Sequence, residues 1–161
     1  MSIEFEAFVQ SSIESIKRQM ANRGYRAANT LRNKAVNEVL RGQRHGRKYI
    51  VPGTGRMHYN KRKHTARITY KYYTASAPGE PPAVRTGEFR LSWLPEVDIT
   101  ANGNYSVTSK IESGIKVGKN GYLLGDILEE GTSRMAPRPY KEKVQDKALN
   151  EIVNIYSEPY T

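Results

Sequence analysis

Val97-Asp98-Ile99-Thr100-Ala101-Asn102-Gly103-Asn104-Tyr105-Ser106-Val107-Thr108-Ser109-Lys110-Ile111 alternates apolar and polar residues on either side of an Asn-Gly pair. Side chains of a strand point alternately to its two faces. Val97, Ile99 and Ala101 therefore share one face, and Tyr105, Val107, Ser109 and Ile111 share one face of the next strand. Asn-Gly is a strong two-residue hairpin signal, because both residues accept the left-handed backbone that such a turn demands. Ser113-Gly114 turns the chain again, and Ile115 and Val117 continue it. The stretch predicts three short antiparallel strands. Residues 122–130 fit a fourth strand or a short helix, ended by Gly131.

The apolar face of such a sheet needs a cover, and the flanks supply one. Phe5, Phe8, Val9, Ile13, Ile16, Met20, Ala27, Ala28, Leu31, Ala35 and Val39 recur at three- and four-residue steps, with no Pro before Pro52. A helix over residues 2–41 would run ~60 Å. That is far longer than a ~15 Å radius of gyration accommodates, so it must bend, break or project. Gly24 is the expected break, since Gly is the weakest helix former after Pro. Sustained heptads are missing, which ranks a coiled coil lower. A second helix is predicted over residues 139–157, with Pro139 in its first turn. Tyr140, Val144, Ala148, Ile152 and Ile155 form its apolar face. The expected class is α+β: a small antiparallel sheet of three to four strands against a long N-terminal and a C-terminal helix.

Between the first helix and the sheet the charge is one-sided. No acidic residue occurs between Glu38 and Glu80, while ten basic ones do: Arg41, Arg44, Arg47, Lys48, Arg56, Lys61, Arg62, Lys63, Arg67 and Lys71. The other sixteen Lys and Arg match the sixteen Asp and Glu, so the net +10 resides in this stretch, with His45, His58 and His64. A single-signed segment repels itself and reads as a solvated loop or as an arm that meets an anionic surface. Residues 42–65 look irregular, punctuated by Gly42, Gly46, Pro52, Gly53 and Gly55. Residues 67–73 alternate and suit a strand. Pro78, Pro81 and Pro82 favour a stiff, extended connector over residues 75–83. Thr86 suits the cap of a short helix carrying Phe89 and Trp93. The chain is read as one domain over residues 1–161, with 42–86 a basic arm and connector.

Composition excludes several chemistries. With 161 residues and 37% hydrophobic content the core is small for the length. No apolar run approaches the ~18 residues of a membrane span. The acidic opening Met1-Ser2-Ile3-Glu4-Phe5-Glu6 lacks the apolar stretch of a signal peptide. Absence of Cys removes disulfides, thiolate zinc sites and a Cys nucleophile. There is no nucleophile elbow, zinc-protease helix or P-loop. Gly53-Thr54-Gly55 starts like a nucleotide loop but lacks the preceding strand. Glu129 and Glu130 are adjacent, so on regular structure they point apart. His58-Tyr59-Asn60 with His64 could suggest a metal-dependent nuclease. No carboxylate lies nearby in sequence, however, and Lys61, Arg62 and Lys63 would repel a cation. Neither a cofactor nor a metal is expected. Arg and Lys interleaved with Tyr49, Tyr59, Tyr70, Tyr72 and Tyr73 suit nucleic acid, by phosphate neutralisation and stacking, or a protein interface.

Two further stretches carry a resemblance. Thr74-Ala75-Ser76-Ala77-Pro78-Gly79-Glu80-Pro81-Pro82-Ala83-Val84-Arg85-Thr86-Gly87-Glu88-Phe89-Arg90-Leu91-Ser92-Trp93 resembles a signature of the neck and tail-completion proteins of long-tailed double-stranded DNA phages. Leu128-Glu129-Glu130-Gly131-Thr132-Ser133-Arg134-Met135-Ala136-Pro137-Arg138-Pro139-Tyr140 is similar to a second box of that family. The boxes follow in the family's order, with the meander between them and a helix after. Three positions depart from the pattern. Arg85 replaces an acidic residue, Glu130 an aromatic one, and Tyr140 a Phe.

The resemblance implies a non-enzymatic virion protein at the head–tail junction, made in the host cytoplasm. It would form a ring of six copies, or twelve on the portal side, by heterologous contacts that close on rotation. Implied partners are further copies, adjacent neck and connector proteins, tail-tube or tail-terminator proteins, and packaged DNA in the channel, with no membrane. The partner-contacting arm residues expected are Arg44, Arg47, Lys48, Tyr49, Lys61, Arg62 and Lys63. Structural and subunit-contact positions are Pro78, Gly79, Pro81, Thr86, Gly87, Gly131, Thr132, Met135, Arg138 and Pro139. The alternative is a free nucleic-acid-binding protein using the same arm, although no recognised binding module is present.

Overall fold

The periodic N-terminal positions form one helix, α1 (Ser2–Asn33), which runs without a break into a π-helical segment, Lys34–Val39. The computed structural model describes residues 2–102 and 104–160. Gly24 does not break α1. It is the point of closest approach to the sheet: a Cβ there would lie 2.6 Å from Val107 Cγ1 and 2.7 Å from Val97 Cγ1. The missing side chain lets the helix backbone rest on the strands, and the Ser109 hydroxyl donates to the Gly24 carbonyl at 2.9 Å. Instead of bending, the helix projects. Phe8, Val9 and Ile16 are exposed, whereas Ala27, Ala28, Ala35, Val36, Val39 and Leu40 are buried. The wider π turn brings the last four of these to one side.

The basic arm is ordered, contrary to the irregular reading of residues 42–65. Strands β1 (Lys48–Ile50) and β4 (Tyr72–Thr74) pair antiparallel at its base. Strands β2 (Arg56–Asn60) and β3 (Thr65–Thr69) pair beyond them, with Met57 opposite Ile68 and Tyr59 opposite Ala66. The result is a two-stranded ribbon whose β2 and β3 side chains are all exposed. The 75–83 connector is not extended. Glu80 N–H donates to the Ala77 carbonyl at 3.1 Å, with Pro78 and Gly79 (φ 78°) at the centre. Pro followed by a positive-φ Gly is the sequence of a type II turn.

Helix α2 (Glu88–Leu91) is a single turn entered through Gly87 rather than capped by Thr86, although Thr86 Oγ1 accepts from Glu88 N–H at 3.3 Å. Trp93 lies not on α2 but at the start of β5 (Trp93–Asn102), which pairs with β6 (Asn104–Ser113). The register, with Ile99 opposite Val107, is centred on position 103, one residue off a two-residue turn. Gly103 itself lies outside the described residues. The meander stops at two strands. After Ser113 the chain leaves the sheet, and β7 (Lys116–Val117) pairs only with β8 (Tyr122–Leu123). The ambiguous stretch 122–130 divides: Tyr122–Leu123 is strand β8, and Leu124–Glu130 is helix α3. Helix α4 (Lys141–Ser157) starts after Pro139, not at it.

The molecule is thus α+β, with α1 across one face of the β5–β6 hairpin and α4 beside α1. Its core is Ala35, Val36, Val39, Leu40, Trp93, Tyr140 and Val144. Phe89, Trp93 and Tyr140 meet edge to face, with ring centroids 5.5–5.8 Å apart. The Tyr140 hydroxyl donates to the Gly125 carbonyl at 3.2 Å. Burial holds that phenol above its usual range, with the nearby Glu129 and Asp126 carboxylates adding to the effect. The contact of α1 and its π-helical extension with α4 is laced by a forked Arg26–Glu158 pair at 2.6 Å, by Lys34 on Glu151 and by Lys147 on Glu38.

Candidate functional site

Two regions collect the residues singled out by the sequence: the ribbon and the meeting point of the two boxes. The ribbon is amphipathic by its register. Met57, Tyr59, Ala66 and Ile68 share one face, and Tyr70 and Ile68 both lie beside Gly55. Arg56, His58, Asn60, Thr65, Arg67 and Thr69 share the other. At the tip Asn60 Oδ1 accepts from the amides of Arg62 (3.1 Å) and Lys63 (3.2 Å). This side-chain turn presents Lys61, Arg62 and Lys63 together to solvent. Tyr49 stacks on Tyr73 (5.7 Å) at the base, and the Arg47 guanidinium lies over Tyr49. Lys48 is exposed opposite Thr74.

Arg44 is engaged within its own chain. Its guanidinium donates to the carbonyls of Val39 (2.8 Å), Gly42, Gln43 and Pro82. It thereby closes the C-terminal end of the first helix and ties it to the first box. Burial lowers its pKa, against the pull of Glu80. His58 and His64 do not converge. His58 lies on the basic face opposite Arg67, whereas His64 contacts the Tyr59 hydroxyl at 3.3 Å. Among the described residues no group of three or more His, Asp or Glu could hold a metal ion, and no helix is long and apolar enough to cross a membrane.

The two boxes fold onto each other through residues some sixty positions apart. Arg138 Nη1 donates to the Ser76 carbonyl at 2.7 Å, and Gly79 N–H donates to the Pro137 carbonyl at 3.2 Å. Pro81 contributes its carbonyl to the Ser76 hydroxyl (2.7 Å), which closes the Pro78–Gly79 turn. In the second box Thr132 and Met135 exchange backbone hydrogen bonds, and Arg138 N–H reaches the Leu128 carbonyl. Gly131 (φ 80°, ψ −169°) lies under this bridge. Pro139 leads to the buried Tyr140. An open groove of about 700 Å³ is walled by both boxes, through Val84, Thr86, Gly87, Phe89, Leu128 and Met135.

Two carboxylates that hold this region together escaped the sequence reading. Glu129 accepts from the amides of Tyr140 (3.0 Å) and Lys141 (3.3 Å), which neutralises free donors at the start of α4. Glu80 accepts from Ala77 N–H (2.8 Å), His45 N–H (3.1 Å) and the His45 ring (2.7 Å). The Glu80 link fastens the ribbon's base to the first box. Its position as the first acid after the basic run was the available signal. The two amide hydrogen bonds, then the His45 ring, hold the Glu80 carboxyl down at about 2.

A carboxyl whose pKa is depressed by folding stabilises the fold above its unfolded pKa. The contribution fades as pH falls from the ordinary carboxylate range, about 4.5, through about 2. We expect the Ala77 and His45 amide resonances to titrate with a midpoint near 2, and Glu80→Gln to abolish that titration. A midpoint in the ordinary carboxylate range would mean that the anchor does not form in solution.

No protein-family model matches the chain, and comparisons with curated proteins and with solved structures found no significant match.

Proposed function

We propose that this chain is a structural subunit of the head–tail junction of a long-tailed double-stranded DNA phage, assembling as a ring between the head connector and the tail tube. The observation that carries the reading is the junction of the two boxes. The segments that resemble the family's signatures are joined through Arg138–Ser76 and Gly79–Pro137. Two distant sequence signatures that build one substructure behave as parts of one device. The role is mechanical: a rigid helical body, a groove walled by both boxes, and a basic ribbon fastened to the first box by Glu80 and Arg44. Neighbouring copies and adjacent neck or tail proteins are the partners, and the virion is the destination. Six copies suit a ring stacked on a tail tube, and twelve the portal side.

The competing reading, a free nucleic-acid-binding protein, draws on Arg56, His58 and Arg67 along one ribbon face. It accounts for neither the boxes nor the apolar face opposite. Protein contact is also the better use of the ribbon in a channel that DNA must leave quickly. Each additional phosphate contact would steepen the grip on DNA.

Reversing Lys61, Arg62 and Lys63 to Glu tests the reading in a head–tail joining assay. The triple variant is expected to accumulate filled heads and free tails while the purified chain melts as wild type does. Normal joining by the triple variant would remove the ribbon from the junction. Failure of the wild-type chain to restore joining in any such assembly system would remove the neck assignment.

A further inference from the structure

Among the described residues, two amphipathic surfaces are left uncovered, and they carry opposite charge. The first is the ribbon's apolar face, where Met57 is 73% exposed and Tyr59, Ile68 and Tyr70 are also open to solvent. It is set in a segment with ten cations and no anion. A two-stranded ribbon with no sheet or helix behind it is marginally stable in water, so this face is one that a partner would stabilise. The second is the projecting start of α1. There Phe8 is 68% exposed, and Val9 and Ile16 also face solvent. From Met1 to Ile16 the chain has Glu4, Glu6 and Glu14 and no Lys or Arg.

Neither surface suits its own kind. Two ribbons would bring seven cations against seven, and two helix starts would bring three anions against three, each with like charges around an apolar contact. The two surfaces do suit each other in sign, and they suit each other in length. The five paired positions of β2 and β3 span ~17 Å. Residues 6–16 of the helix span ~16 Å.

They do not meet within one chain. The ribbon leaves from the far end of the first helix, ~45 Å along the axis from Phe8. All its β2 and β3 side chains are exposed, so it does not lie back along its own helix. A contact between surfaces at opposite ends of the molecule is heterologous. Repeated from copy to copy it gives a closed ring if the rotation closes, or a filament if it does not.

We infer that the apolar face of the ribbon docks on the exposed, acidic first turns of α1 in a second copy of this chain, with Met57, Tyr59 and Ile68 against Phe8, Val9 and Ile16. This deepens the ring reading above and rests on it for the premise that copies associate. Apolar burial supplies the affinity, and the opposite fields of the two segments set orientation and suppress self-pairing. Salt therefore weakens the association, because the charged rims are solvent-exposed.

The test measures the mass distribution of the purified chain against concentration. Glu4, Glu6 and Glu14 replaced by Lys, or Lys61, Arg62 and Lys63 replaced by Glu, should each raise the concentration needed for assembly by roughly tenfold or more. All six substitutions in one chain should lower that concentration again relative to either single-side variant, because the Lys-bearing helix then meets the three Glu at the ribbon tip. Mixing those two single-side variants should yield mixed species, since the Lys-bearing helix of one never faces a charge-reversed ribbon in self-contacts but does in the mixture. Because the chain has no Cys, Phe8→Cys and Met57→Cys chains can be mixed and oxidised without background. A disulfide-linked pair containing one of each is the expected product.

Equal assembly by wild type and both single-side variants would overturn the docking while leaving the ring and neck reading standing. So would linkage confined to like pairs, or a ribbon that retains DNA but leaves assembly unchanged on charge reversal. A wild-type chain that stays monomeric at every concentration would overturn the docking as well. The head–tail joining assay then decides the neck reading separately.

Discussion

Gly131→Val is expected to cost the protein most of its stability. Gly131 takes φ 80° and ψ −169°, a region open to Gly alone. A side chain there costs about 1–3 kcal/mol in backbone strain. The space is closed too. A Cβ would sit 2.6 Å from the Met135 carbonyl oxygen and 2.8 Å from Pro137 N. Both are backbone atoms of a segment pinned by the Thr132–Met135 bridge and by Arg138 N–H on the Leu128 carbonyl, so they cannot yield as a side-chain end would. Opening that bridge frees at least two backbone hydrogen bonds, at about 1 kcal/mol each. The sum, about 4 kcal/mol, is most of the stability of a marginal domain. Damage would spread to the core, because Pro137, Arg138 and Pro139 lead directly to Tyr140. Urea unfolding measures it, and Gly131→Ala should already lose most of the midpoint. A valine variant melting within about 2 °C of wild type would show that the second box is not structurally demanding.

What could be read from the sequence follows from the range of the forces involved. The β5–β6 pairing and the buried face of α4 were legible because period-two and period-3.6 patterns report directly which residues meet the core. Val97 and Val107 do face α1, and Val144, Ala148 and Ile155 are buried. The third meander strand was not legible. Ser113-Gly114 signals a turn, but whether the chain then rejoins the same sheet depends on what α3 and Tyr140 occupy, which is a long-range matter. The ribbon was misread for a related reason. Gly and Pro lower local propensity through residues 42–55, yet cross-strand pairs such as Met57–Ile68 and Tyr49–Tyr73 outweigh it. At the site, Lys61, Arg62 and Lys63 were visible as a charge cluster. The roles of Glu80, Glu129 and Arg44 were not, because each is defined by backbone groups brought to it from elsewhere in the chain. Gly131 was legible as the residue that ends the 122–130 segment, whereas Gly24 was misjudged by a propensity argument.

Gly24 shows why, and gives the second large effect. Propensity alone says that Gly24→Leu should stabilise α1 by about 1 kcal/mol. The structure reverses the sign. The new Cβ would lie within 2.7 Å of methyl groups on both Val97 and Val107, and β-branched side chains in a strand have little rotamer freedom to retreat. Overpacking of this kind costs about 1–3 kcal/mol. Lifting α1 also breaks the Ser109 hydroxyl bond to the Gly24 carbonyl, about 1 kcal/mol more. It further strains the Arg23 guanidinium, which is buried against Tyr160 and donates to the Pro159 carbonyl at 2.7 Å. The net expectation is a loss of about 1–3 kcal/mol, seen as a lower urea midpoint with little change in slope. A double-mutant cycle isolates the cause. Gly24→Ala should be destabilising alone but neutral or better in a background in which Val97→Ala and Val107→Ala together have cleared the space, because the helix then keeps its propensity gain without the clash. Gly24→Leu as stable as wild type, or a cycle with no coupling, would mean that α1 does not lie on the β5–β6 hairpin at this point. The register of the whole N-terminal helix against the sheet, and the projection of Phe8 beyond it, would then have to be redrawn.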